Sequence, residues 1–240
     1  MRSDGADLSR RPHAGTFLTL EGPEGAGKTT QGHLLVEALR ATGRRVLFVR
    51  EPGGTEIGER IRALLLDPDH GRLVPRTEML LFAASRAQLV AEVIRPALAA
   101  GTLVVCDRYV DASLAYQGVG RGLGVEVVRA INDIGTEGLL PDLTILLDID
   151  PAVGLRRARR TSKGTAGTGH WDGGDRLERE ALAFHERVRE GFLALAGNEP
   201  RRIRMVDARG PVEHVHRAIW DLVIAFLRGE SGGRPPEIVP

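Results

Sequence analysis

The chain has 240 residues, enough for one large domain with a substantial core. Its 33 basic and 32 acidic residues leave a formal net charge of +1, which argues against nucleic acid or a membrane surface as a partner. The single cysteine, Cys106, excludes an internal disulfide and a cysteine-rich metal site, and makes a reducing, cytoplasmic setting the expectation.

Residues 1–14 are polar, lack apolar periodicity and read as a disordered extension with no signal peptide or membrane span. An apolar run over 16–20 predicts a strand. It leads into Gly22-Pro23-Glu24-Gly25-Ala26-Gly27-Lys28-Thr29, which fits G-x-x-x-x-G-K-[ST], a phosphate-binding loop, and a helix is predicted over 28–41. Three glycines let the loop curl its N–H groups onto phosphate oxygens, and the helix N-terminus adds partial positive charge. Lys28 is expected to reach the outer phosphates, and the Thr29 hydroxyl, followed by Thr30, to hold Mg²⁺. Lys28 and Lys163 are the only lysines among the 33 basic residues, so an ammonium stands where a planar guanidinium would not fit.

A second strand, 46–49, ends in the glycine-bearing loop Arg50-Glu51-Pro52-Gly53-Gly54-Thr55, suited to ligand contact. The helix over 55–66 carries Arg62, one turn beyond Gly58 and positioned for a phosphate. The helix over 76–100 carries Phe82 and Arg86 at i,i+4, a ring to stack a base and a guanidinium to bond a base carbonyl. Taken alone, Phe82 reads as ordinary helix core.

Strand 103–106 ends in Asp107-Arg108-Tyr109: Asp107 is the expected organiser of Mg²⁺ and its waters, Arg108 a ligand for a second substrate's phosphate. If the segment beyond is helical, Ser113, Tyr116 and Gln117 share a face, and Gln117 offers both a donor and an acceptor to a nucleobase edge. A helix over 125–138, a strand over 143–148 and a helix over 151–160 follow. The last carries Arg156, Arg157, Arg159 and Arg160 and runs into a glycine-rich patch, 162–174, read as a lid loop. A helix over 175–196, a strand over 202–206, a helix over 211–228 and a disordered tail over 229–240 complete the chain. The seven histidines form no metal pattern. Five apolar strands separated by helices predict a three-layer α/β P-loop fold, a parallel sheet with its site at the strands' carboxyl ends.

The ordered set of runs resembles the bacterial thymidylate kinases over about residues 15–228, with the lid near 156–178. The runs are Glu21 through Gln31, Arg50 through Thr55, Phe82-Ala83-Ala84-Ser85-Arg86, Asp107-Arg108-Tyr109 with Ser113 and Ala115-Tyr116-Gln117-Gly118, Pro141-Asp142, and Asp175-Arg176-Leu177-Glu178. The resemblance implies phosphoryl transfer from ATP to dTMP with Mg²⁺, a five-stranded parallel sheet and a homodimer. It implies that Phe82 stacks on thymine, Arg86 bonds its carbonyl, Gln117 and Ser113 meet the base edge and Tyr116 crowds the sugar. It further implies that Arg62 and Arg108 hold the dTMP phosphate beside Glu51 and a cis Pro52, with Glu24 orienting Arg108 or a water. The loop Pro23-Glu24-Gly25-Ala26 lacks the arginine of one subgroup, so the likeness is to the subgroup whose catalytic arginines come from the lid, which suits Arg157, Arg159 and Arg160. The lid is longer and richer in glycine than the family's usual loop.

Two alternatives stand beside this reading. Another P-loop kinase would act on a different nucleotide or on a deoxynucleoside. A nucleotide-dependent switch would carry a guanine-reading motif such as Asn-Lys-x-Asp, which is absent from this chain.

Overall fold

The computed structural model describes residues 14–68, 73–162 and 174–229. Most of the glycine-rich patch, both terminal extensions, His13, Lys163 and His170 therefore lie outside the described residues. Five strands, β1 (Thr16–Glu21), β2 (Val46–Arg50), β3 (Leu103–Asp107), β4 (Leu143–Asp148) and β5 (Ile203–Asp207), form one sheet in the order β2-β3-β1-β4-β5. Every pairing is parallel. β3 is buried at all five positions, as expected of a strand covered on both faces.

Alternate residues of each strand feed opposite cores. Leu18, Leu20, Val105, Ile145 and Leu147 pack with Leu35 and Leu39 of helix α1 (Lys28–Ala41) and with Ile219 and Val223 of α9 (Val212–Leu227). Phe17, Val104 and Cys106 face the other way, against Leu89, Ile94 and Tyr109. Cys106 is thus a core residue. Leu146 joins Tyr116 and the apolar face of α8 (Leu182–Asn198), including Phe184, Val188 and Phe192.

Two departures from the sequence expectation have local causes. The helix expected over 76–100 is α3 (Pro75–Leu89), a π-helical turn (Val90–Ile94) and α4 (Arg95–Ala99). Pro96 has no N–H and its ring would meet the carbonyl of residue 92 in a regular helix; the wider turn accommodates it. The helix expected from 175 begins at Leu182. Asp175 Oδ1 accepts the backbone N–H groups of Leu177 and Glu178, both at 2.9 Å, and holds that stretch as a turn. The segment after β3 is helical, α5 (Val110–Ser113) followed by a π-helical stretch (Leu114–Gly120). Helices α2 (Glu56–Leu66), α6 (Val125–Thr136) and α7 (Pro151–Ser162) complete the fold.

In-register pairing sets Leu20 and Arg50 on either side of Asp107, so the carboxyl ends of β1, β2 and β3 open onto one place. β1 lies between β3 and β4, where the chain's path across the sheet changes direction and a ligand crevice is expected.

Candidate active site

A cavity of about 360 Å³ opens at that place. One wall is the glycine-rich loop. Gly22, Gly25 and Gly27 all take positive φ, at 139°, 68° and 91°. At Gly25 a side chain would also collide with the carbonyl of Gly154 on α7, so a bare backbone is required twice over. The Lys28 ammonium donates to the carbonyls of Gly22 (3.1 Å) and Pro23 (2.8 Å), at the base of the loop. Burial, helped by Arg108, lowers its pKa to about 8 against the pull of Glu24 and Asp107. The Thr29 hydroxyl donates to Asp107 Oδ2 at 2.5 Å. Asp107 is buried, not a solvated strand-end charge.

Among the described residues no three carboxylates, histidines or cysteines form a metal cage. The Thr29–Asp107 pair fits Mg²⁺ all the same. It supplies two hard oxygen donors beside a phosphate loop, and Mg²⁺ takes its remaining positions from substrate phosphates and water.

The opposite wall is made of paired side chains. Arg86 is 1% exposed and donates from Nε to Glu51 (2.7 Å), from Nη1 to Asn132 Oδ1 (2.5 Å), and from Nη2 to the Tyr109 carbonyl (3.1 Å) and Ser113 Oγ (3.0 Å). Four of its five N–H donors are engaged within the described residues, which leaves one Nη1 hydrogen for a ligand. Burial lifts the Glu51 carboxyl to about 7, against Arg86. The Glu51–Pro52 peptide bond is cis, and the Pro52 carbonyl accepts from Arg62 Nη1 at 2.9 Å. Phe82 is half-buried against Leu65, Leu66 and Leu177 and lines the cavity.

Arg108 joins the two walls. It is a non-glycine residue at φ 68°, a conformation held by its own N–H to Leu20 O and by the Tyr109 N–H to Glu21 Oε1 (2.7 Å). Its guanidinium donates to the Gly22 carbonyl (3.1 Å), to Glu24 Oε1 (2.7 Å) and to the Tyr116 hydroxyl (3.2 Å). Burial would raise Glu24, but Arg108 and Lys28 outweigh it and hold the carboxyl down at about 2. Tyr116 also donates to Glu24, at 2.8 Å.

Of the predicted site residues, Glu24, Gly25, Gly27, Lys28, Thr29, Thr30, Glu51, Pro52, Arg62, Phe82, Arg86, Asp107, Arg108, Ser113, Tyr116, Gln117 and Arg157 line this one cavity. Gly22 and Pro23 meet it through the carbonyls that hold Lys28, and Ala26 is packed in the core beneath the loop. Arg159 and Arg160 are exposed and lie outside the lining. Arg157 donates to the carbonyls of Ala208 (2.8 Å) and Arg209 (2.9 Å) on the way to it.

Sequence alone gave no site role to Asn132, Glu78, Asp175, Arg176 or Glu178, whereas Arg50 lines the cavity as the first residue of the loop expected to contact a ligand. Asn132 and Glu78 are buried polar residues that no local sequence pattern marks, and Asp175, Arg176 and Glu178 belong to a run that carries the family resemblance with no role implied for any of them. Glu178 lines the cavity with its carboxyl raised to about 7 by burial and by Asp175 and Glu24.

A phosphate loop at the head of a parallel sheet, facing a wall of hydrogen-bonding side chains across one cavity, defines a P-loop phosphotransferase. The family model described as thymidylate kinase matches residues 20–219. A thymidylate kinase of Deinococcus radiodurans is 53% identical over 209 residues, covering 87% of this chain and 96% of that relative. One of Syntrophotalea carbinolica is 52% identical over 204 residues, covering 85% and 93%. The crystal structure of thymidylate kinase from Ehrlichia chaffeensis superposes with a TM-score of 0.68 at 31% identity, covering 88% of this chain and 98% of that one. The chain belongs to the thymidylate kinase family.

Proposed function

We propose that this chain transfers the γ-phosphoryl group of ATP to the phosphate of dTMP, giving ADP and dTDP, with Mg²⁺, as one catalytic domain spanning about residues 15–228. The observation that carries the reading is the single cavity that holds both the phosphate loop and the Arg86–Gln117 wall. ATP phosphates lie along the loop N–H groups, and dTMP lies against Phe82, Arg86, Ser113 and Gln117. Arg62 and Arg108 hold the acceptor phosphate, and Tyr116, fixed by Glu24 and Arg108, closes off the sugar.

An acceptor phosphate oxygen attacks the γ-phosphorus as its bond to the bridging oxygen of ADP breaks, in line and with no enzyme-bound intermediate. Lys28 and Arg157 neutralise charge that grows on the transferred group. Of the three arginines expected from the lid, only Arg157 lines the cavity, which favours it for this role over Arg159 and Arg160. Mg²⁺, held by Thr29 and Asp107, would supply charge neutralisation and orientation of the donor phosphates. Glu24 acts by orienting Arg108 rather than by moving a proton, since it is ionised well below neutral pH.

The working unit is a homodimer in the cytoplasm. Support comes from exposed apolar side chains on two packed helices, Leu80 of α3 with Val127 and Ile134 of α6, and from a single buried cysteine. Among the described residues no helix is long and apolar enough to cross a membrane.

The test is an ADP-release assay with ATP and Mg²⁺ across dTMP, dUMP, dCMP, dGMP, AMP and thymidine. Preference for dTMP is expected. A different preferred acceptor would overturn the acceptor assignment and leave the phosphate-loop assignment standing.

A further inference from the structure

Gln117 is buried, yet it lines the cavity. Behind it lies Glu78 of α3, fully buried and outside the lining. Gln117 Nε2 donates to Glu78 Oε1 at 2.9 Å. The same carboxylate accepts from Arg121 Nε (3.2 Å) and Nη2 (3.0 Å), and its Oε2 pairs with Arg176 Nη2 at 2.7 Å. Arg176 is itself anchored, its Nε donating to the Leu65 carbonyl at 2.8 Å. Burial acts to raise Glu78, but the bonds from Arg121 and Gln117 prevail and keep it ionised. Glu78 is therefore a fixed acceptor that offers no hydrogen to donate.

An amide side chain has two orientations that exchange its oxygen and nitrogen. Turned as it is, Gln117 gives one Nε2 hydrogen to Glu78 and keeps Oε1 and the second hydrogen for the cavity. Turned over, it would set its oxygen against a buried carboxylate, two acceptors face to face, with the carboxylate losing a donor. The orientation decides which base can be read. The imide edge of thymine presents a ring N–H beside a carbonyl, which matches an acceptor beside a donor. The edge of cytosine presents a ring acceptor beside an amino group and needs the amide turned over.

We infer that Glu78 is a specificity-determining positioning residue: by locking the Gln117 amide it admits an imide base and opposes an amino-pyrimidine. This rests on the dTMP reading above. Glu78 touches no substrate and acts through Gln117 alone.

The test measures Kd for dTMP and dCMP by titration calorimetry, a readout that needs no turnover, in the wild type and in Glu78→Gln. The variant's own amide can turn with Gln117, so the Kd ratio of dCMP to dTMP should fall about tenfold, with ATP affinity within about twofold of wild type. Arg121→Leu removes a partner of Glu78 but spares its bond to Gln117, so it should lower thermal stability and leave the ratio unchanged. Gln117→Leu removes the amide itself and should lower the ratio even if Glu78→Gln fails to fold. An unchanged ratio in Glu78→Gln or Gln117→Leu, equal weakening of both nucleotides, or a lowered ratio in Arg121→Leu would overturn the inference. Absence of dTMP turnover in the wild type strikes the parent reading instead, whatever the ratio does.

Discussion

The two walls of the cavity are built from different material. The phosphate-loop wall is backbone: three glycines at positive φ, a helix N-terminus, and a lysine held by two loop carbonyls. The acceptor wall is side chain: Arg86 on Glu51, Asn132 and Ser113, Gln117 on Glu78, Arg108 on Glu24 and Tyr116. A backbone wall reads any polyphosphate, because all polyphosphates present the same oxygens. On the function proposed above, a side-chain wall would read one base, because its donors and acceptors are fixed by buried partners. The proposed function would thus separate common chemistry from specific recognition across the cavity, and Arg108 links the two walls through the Gly22 carbonyl.

The largest effect should come from the one side chain on which the backbone wall depends for charge. Lys28→Ala is expected to lower kcat by about 10³-fold or more, since it removes a cation whose hold strengthens in the transition state. Steady-state rates, with dTMP affinity measured alongside, check this. A rate loss under tenfold would mean that the loop N–H groups suffice. A parallel collapse of dTMP affinity would mean that the walls are not separable.

Next is the anchor of the other wall. Arg86→Leu strands the buried carboxylate of Glu51, and breaking a buried pair from one side costs about 3 kcal/mol or more. Urea denaturation reads the loss, and the KM for dTMP should rise while that for ATP stays near its wild-type value. A stability change under about 1 kcal/mol would show that packing, not pairing, holds this wall.

A smaller, pH-dependent effect isolates Glu51. Burial lifts its carboxyl from 4.5 to about 7. A carboxyl lifted on folding takes up a proton, so its contribution to stability is whole below pH 4.5 and is lost as the pH rises through 7. Glu51→Gln cannot titrate. The stability of the wild type relative to this variant should therefore fall between pH 5 and pH 8, by an amount on the order of 2 kcal/mol. Denaturation at both pH values checks it. A relative stability that rises with pH would mean that Arg86 outweighs burial and depresses the group.

The same division explains what the sequence could reveal. The first four strands stood out because they are mostly apolar, whereas the fifth carries Arg204 within it, and the phosphate loop is contiguous, so its geometry is written in eight adjacent residues. The acceptor wall is assembled across the chain. Arg86 meets Asn132 46 positions away, and Gln117 meets Glu78 39 positions away. No local pattern marks Asn132 or Glu78, because what makes them functional is a neighbour brought by packing. The family resemblance pointed to Arg86 and Gln117, which line the cavity, and was silent on those behind them. Helix interruptions were lost for a related reason: Pro96 signals a break, yet the π-helical turn that absorbs it depends on the contacts of Val90 and Ile94 with the sheet.

The smallest effect tests whether the loop wall is truly backbone. Gly27 takes φ 91°, is exposed, and a methyl group there would meet nothing within 4 Å. Gly27→Ala therefore adds no clash and changes only the cost of a left-handed conformation, about 1 kcal/mol. Stability should fall by that amount in denaturant. If the loop relaxes to relieve the strain, its N–H groups turn from the phosphates, so the KM for ATP should rise while the Kd for dTMP holds. Gly25→Ala supplies the contrast, because its methyl would strike the Gly154 carbonyl and displace α7 along with the loop. An ATP response to Gly27→Ala as severe as that to Gly25→Ala would show that conformation alone governs the wall. No ATP response would show that Lys28 and Arg157 bind the phosphates without help from the loop's shape.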